Sequence, residues 1–287
     1  MLTFNTTATK HLPLVMELDV ARAAGFQSVE ILGSKVQACL DSGFSETEVK
    51  DLTKGLAVKG IGALVDVERQ GVDLPNLLRE ADDLFGLANL LGAEGVQIVT
   101  GPLDYRAALE FADVGSTARY AGLLGHSDRD KVKLTAANLR KLCDMAQARG
   151  LILYIEALAW ASLNTIELQL ELLDATGRDN LKLVVDYWHC YVSGAMPATV
   201  AKIDKNIIYG VHVCDSLTYV GGVPNETLLR DIPTGEGVLD LFEWTQAVKS
   251  TGYNGWWSSE TFCRKQQQQD GYAVAKRLKA QLERLVG

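Results

Sequence analysis

Short apolar runs alternate with longer amphipathic stretches along the whole chain. LTF (2–4), SVEIL (28–32), IGALVDV (61–67), GVQIVTG (95–101), LILYIEA (151–157), LKLVVD (181–186), NIIYGVHVCD (206–215) and GWWSSE (255–260) read as strands. Most lack the polar/apolar alternation of a half-solvated strand, as expected when both faces are covered. Between them, residues 15–25, 45–60, 74–92, 131–150, 165–177, 239–252 and 272–287 carry the apolar spacing of helices. Ser45 and Glu48 stand in capping-box spacing, and Gly60 reads as the end of that helix. Eight β-then-α units in 287 residues predict an α/β fold, a single-domain (β/α)8 TIM barrel over 1–287. A doubly wound open sheet is the alternative, but no Gly-rich phosphate loop follows the first strand.

Two connections exceed simple turns, 102–128 after the fourth strand and 216–238 after the seventh. In a barrel both lie at the C-terminal face, where such folds keep their sites. The glutamines at 266–269 read as a solvated helix entry, and His11 and His126 as loop or surface residues.

The last four strands share a feature that apolar patterning does not explain. Each closes on ionisable residues: Glu156, Asp186, His212 with Asp215, and Glu260. Asp186 follows Leu183, Val184 and Val185, and a carboxylate at the end of a buried strand is costly without a partner. Singly, each has an ordinary reading: a strand-end carboxylate caps the next helix or forms a salt bridge, and a strand histidine sits satisfied in the core. Together, on consecutive strands, they meet at one end of the barrel, where carboxylates repel unless a cation neutralises them. Three carboxylates and one imidazole suit one divalent metal ion of hard or borderline type, Mn²⁺, Mg²⁺ or Co²⁺, with Zn²⁺ admitted.

Composition narrows the partners. The net charge of −8 argues against nucleic acid, which demands a basic face. No apolar run reaches the roughly 18–20 residues of a membrane span, and residues 1–14 lack the features of a signal peptide. Five scattered cysteines without a C-x-x-C pair predict reduced thiols and a cytoplasmic protein.

At the strand ends a resemblance becomes specific. E-A at 156–157, D-x-x-H at Asp186 and His189, H-V-C-D at 212–215, R-D-I-P-T-G-E-G at 230–237 and S-S-E-T-F at 258–262 resemble the xylose-isomerase-like sugar isomerase/epimerase superfamily. Asn164–Thr165, Arg178–Asn180 and the VVDYWHCYVSG run are most similar to the inosose isomerases of myo-inositol catabolism, while the N-terminal F-N-x-A-T pattern appears imperfectly as FNTTAT.

The resemblance implies a metal held by Glu156, Asp186, His212 and Glu260, with Mn²⁺ foremost, and substrate oxygens contacted by His189 and Arg230. Glu156 and Glu260 would be the catalytic pair, passing a proton through an enediolate of a small keto-polyol or keto-sugar. Asp215 is expected to orient a neighbour, and Trp160 and Trp188 to wall the pocket or pack in the core. Ketose 3-epimerases of the superfamily tend to carry a second glutamate where this chain has Ser162, which turns the expectation toward a cyclic polyol. The competing outcomes are dehydration of an inosose or of 3-dehydroshikimate and, from another class, a non-catalytic metal- or sugar-binding barrel. A homo-oligomer is left open.

Overall fold

The computed structural model describes residues 1–287. Eight parallel strands, β1 (Leu2–Asn5), β2 (Ser28–Leu32), β3 (Ala57–Leu64), β4 (Gly95–Val99), β5 (Ile152–Glu156), β6 (Leu181–Asp186), β7 (Ile208–Val213) and β8 (Trp256–Ser259), close into a barrel in sequence order. Closure is made by Leu2 and Thr3 pairing with Trp257 and Ser258. The expected single-domain (β/α)8 barrel is therefore the fold. No helix is long and apolar enough to cross a membrane, and all five cysteines are free.

The barrel interior is plugged by aromatic rings. Tyr154, Tyr209 and Trp256 pack against one another with centroids 4.9–6.0 Å apart. The adjacent strands make room with glycine. A Cβ on Gly60 would meet the Tyr154 hydroxyl at 1.9 Å, and one on Gly210 would meet the Trp256 ring at 2.0 Å. His212 stands over this plug, its ring 5.9 Å from Trp256. The floor beneath the strand ends is thus solid, as barrel cores are.

Several boundaries differ from the pattern, each for a local reason. The helix expected over 45–60 is Glu46–Leu52, with the Ser45–Glu48 capping box in place. The chain turns at Gly55, which has φ +80°, and Ala57 already begins β3. A helix over Gly33–Asp41 has no side-chain cap and so no start signal to read. The connection after β4 contains a helix, Tyr105–Val114. Of the 266–269 glutamines, expected as a solvated entry, only Gln268 and Gln269 are exposed. Gln266 and Gln267 are buried in a 3-10 turn, and Gln267 donates to the Thr7 carbonyl at 3.3 Å. His11 and His126 are exposed, as expected.

One buried carboxyl supports the wall rather than the site. Glu68, 1% exposed, accepts the Gly101 N–H at 2.8 Å through Oε1, while its Oε2 has no partner. Burial pushes its pKa up to about 8, against the Gly101 hydrogen bond that lowers it. The native state therefore holds a proton that the unfolded chain releases near pH 4.5. The contribution to stability is complete below that pH and is lost as pH rises toward about 8. Relative to Glu68→Gln, the wild type should lose up to ~1.4 kcal/mol of stability per pH unit across this window. Urea denaturation of both proteins at pH 5, 6.5 and 8 measures the gap; a gap independent of pH contradicts a buried, protonated Glu68.

Candidate metal centre

Sheet register brings the predicted strand-end residues together. Asp186 on β6 is the direct partner of His212 on β7, so both side chains leave the same face. His212 in turn pairs with Ser258 on β8, and Glu260, two residues on, returns to that face. Glu156 ends β5 two residues after Tyr154, whose side chain fills the barrel. Ligand atoms of Glu156, Asp186, His212 and Glu260 lie within 4.8 Å of one another, and all four residues are buried.

Each member is oriented by a second contact. Asp186 caps the short helix Tyr187–Val192, with Oδ1 accepting the His189 N–H at 2.8 Å, and both its oxygens lie 3.3 Å from Cys214 Sγ. His212 Nδ1 faces the cluster, 3.2 Å from Glu156 Oε1 and 3.6 Å from Glu260 Oε2. Its Nε2 lies 3.0 Å from Glu30 Oε2, a carboxylate that also accepts from Asn5 Nδ2 at 2.9 Å and from the Tyr154 hydroxyl at 2.6 Å. Such a carboxylate behind an imidazole fixes the proton on the far nitrogen and leaves the near one free to ligate. Gln97 Nε2 donates to Glu156 Oε2 at 2.9 Å.

Arg230 is the cation of the site. It is 2% exposed; Nη2 donates to Glu260 Oε2 at 2.9 Å and Asp186 Oδ2 at 3.3 Å, and Nη1 to Glu226 Oε1 at 3.0 Å. Its guanidinium also lies over the Phe262 ring at 4.6 Å. The neighbouring Asp231 does not pair with it but with Arg264, so Arg230 turns inward alone. Asp215 accepts backbone N–H groups from Ser216, Gly235, Gly237 and Leu239 at 2.8–3.1 Å, clamping the loop that carries Arg230.

Above the cluster is a cavity of about 300 Å³, lined among others by Lys10, Trp160, His189, Glu226 and Phe262. Trp160 walls it and donates Nε1–H to the Pro102 carbonyl at 2.8 Å. Trp188 is fully buried beneath His189 and lies outside the cavity wall. Ser162 is also outside it, and its hydroxyl has no partner.

The electrostatics fit a divalent cation. Burial, then the neighbouring Glu260 charge, pushes Glu156 up to about 8. Burial would lower His212, but the Glu30 and Glu260 carboxylates hold it well above the ordinary histidine range. Glu30 is lowered despite burial, because the imidazole charge and three hydrogen-bond donors favour its ionised form. Without a metal, the cluster keeps protons where a cation would otherwise bring charge balance. His189 is different: burial pushes it down to about 3, so the imidazole is neutral. Glu226 is raised to about 7 by burial, opposed by Arg230.

Glu30, Gln97 and Glu226 were absent from the sequence reading. The first two carry a signal like that of Glu156, a long polar residue in an apolar strand; Glu226 opens a four-residue helix, Glu226–Leu229, too short for any periodicity to mark it.

Comparison with known proteins agrees with this architecture. An inosose isomerase of Bacillus velezensis is 29% identical over 138 residues, 47% of this chain and 48% of that protein. A 3-dehydroshikimate dehydratase of Pseudomonas aeruginosa is 31% identical over 144 residues, 50% of this chain and 22% of that protein. The chain thus spans about half the length of the isomerase it matches, and less of the dehydratase. A crystal structure of IolI protein with a binding zinc atom superposes with a TM-score of 0.85 at 19% identity, over 99% of this chain and 97% of that one, a likeness of fold. Residues 18–283 match the family described as xylose isomerase-like TIM barrel, and the chain belongs to that family.

Proposed function

We propose that this chain is a divalent-metal-dependent isomerase or epimerase of a keto-polyol or keto-sugar of the inosose class. The observation that carries the reading is the convergence of Glu156, Asp186, His212 and Glu260, two of which, Glu156 and Glu260, line a walled cavity. A divalent ion held by these four would polarise a ketone oxygen and acidify the neighbouring C–H. Glu156 and Glu260 are the proton carriers. They reach the site from β5 and from beyond β8, so they address the substrate from different sides of the barrel mouth. Proton removal gives an enediolate, and its return to the adjacent carbon yields an isomer, to the opposite face an epimer. Asp186 and His212 complete the metal site. His189, neutral and with Nδ1 occupied by the Ala159 N–H at 3.0 Å, presents Nε2–H to a substrate oxygen. Arg230 holds Asp186 and Glu260 in place from behind; it does not line the cavity, so its expected contact with substrate gives way to a positioning role.

Dehydration is the second reading, favoured by the 3-dehydroshikimate dehydratase relative; the same enediolate loses water when a β-hydroxyl is placed to leave.

Incubation of Mn²⁺-loaded protein with 2-keto-myo-inositol in D₂O, followed by NMR, separates the outcomes. Carbon-bound deuterium with an isomeric ketone is the expected result, and an enone identifies the dehydratase. Glu156→Gln should slow exchange by about 10²- to 10⁴-fold. Absence of exchange with any inosose or with dehydroshikimate refutes the mechanism. A second measurement concerns the ion itself. Mn²⁺ or Zn²⁺ added to chelator-stripped protein should raise its melting temperature by several degrees, since the ion binds only the folded chain. Asp186→Ala should abolish most of that rise and the bound metal; full metal occupancy in the variant removes Asp186 from the ligand set.

A further inference from the structure

His189 and Glu226 face each other across a gap that protein atoms leave open. The Ala159 N–H fills Nδ1 of His189 at 3.0 Å, so the neutral ring carries its proton on Nε2. The carboxylate oxygens nearest Nε2 are Glu156 Oε1 at 3.9 Å and Glu226 Oε1 at 4.0 Å, both too far for a hydrogen bond. All three side chains line the same cavity. A separation of 4.0 Å is too long for a direct hydrogen bond yet accommodates one oxygen that touches both.

Glu226 is held where it stands. Arg230 Nη1 donates to its Oε1 at 3.0 Å, the preceding Asn225 donates to the Tyr105 hydroxyl at 3.1 Å, and Asp215 clamps the loop. We propose that Glu226 and His189 form a hydroxyl-binding subsite beside the metal cluster, in which Glu226 determines specificity. An alcohol there donates its proton to Glu226 and accepts from His189 Nε2–H, one hydrogen bond in each direction. A deoxy carbon offers neither. A substrate carboxylate lacks the proton that Glu226 would accept and is repelled by Glu226 when ionised beside Arg230. The subsite therefore selects an uncharged, hydroxylated ring. The inference rests on the keto-polyol reading above and extends it to the carbons beyond the reacting pair.

The test compares 2-keto-myo-inositol with each of its mono-deoxy analogues on the Mn²⁺-loaded full chain, by deuterium exchange and by calorimetric binding. In the wild type, one deoxy position should lower kcat/KM and weaken Kd by about 10- to 100-fold, the worth of hydrogen bonds to a charged group. In Glu226→Ala, parent and that analogue should come within about threefold of each other, with Glu226→Gln between. Equal losses on parent and analogue in both variants would make Glu226 only the counter-ion of Arg230 and overturn the proposal. Wild-type indifference to every deoxy position overturns it without any variant. Discrimination in binding with no exchange supports the subsite while sinking the isomerase reading, so the two failures are distinct.

Discussion

Everything at the mouth of this barrel answers to an excess of buried negative charge. Glu30, Glu156, Asp186 and Glu260 are buried together, with half-buried Glu226 beside them, and the cationic side chains among them are Arg230 and His212. Charges in such a medium cannot be left unbalanced, because burial penalises each ionised group and the carboxylates repel one another. The chain answers in two ways. Arg230 spreads its donors over Asp186, Glu226 and Glu260, and protons are retained on Glu156 and His212. A divalent ion at the four clustered groups would replace the retained protons and restore charge balance.

That arrangement needs a rigid base. The aromatic plug of Tyr154, Tyr209 and Trp256 leaves His212 no room to retreat, and the Tyr154 hydroxyl reaches up to Glu30. The same residues that fill the barrel thus aim the carboxylate that orients the imidazole. Above, Asp215 sets the loop geometry through four backbone N–H groups, and that loop delivers both Arg230 and Glu226. A substitution at Asp215 would act on the site through two side chains at once, although its carboxylate bonds only to backbone.

What could be read in the chain follows the strength of the local signals. The barrel and the four convergent residues were legible because apolar strands ending in carboxylates or histidine leave few alternatives. Glu30 and Gln97 lie mid-strand in β2 and β4, where a single polar residue reads as an ordinary break in an apolar run rather than as a residue delivered to the barrel mouth. The helix read over 45–60 ran into β3 because Ala57, Val58 and Gly60 satisfy helical spacing as well as strand alternation, and Gly60 imitates a C-cap. The actual break is Gly55, whose positive φ is a tertiary requirement invisible in the pattern. Arg230 next to Asp231 looks like a surface pair; only the folded loop shows that the two side chains part, one into the site and one to Arg264.

The relatives include isomerases and a dehydratase, so the ligand set alone does not determine the product. The surroundings of the two proposed proton carriers, Glu156 and Glu260, differ more than the carriers themselves. Glu156 accepts from the neutral amide of Gln97 and lies against His212, whereas Glu260 accepts from the guanidinium of Arg230. Burial and the Glu260 charge raise Glu156, against the charge and hydrogen bond of His212, while Arg230 donates directly to Glu260. The pair is therefore asymmetric before substrate arrives. Which carbon receives the proton depends on how the ring is seated between these unequal partners. In the proposed reaction, seating would fall to groups around the cluster such as His189 and Glu226, which line the cavity. Were four ligands to supply the common chemistry, the choice of reaction would pass to the residues that fix a substrate's remaining hydroxyls.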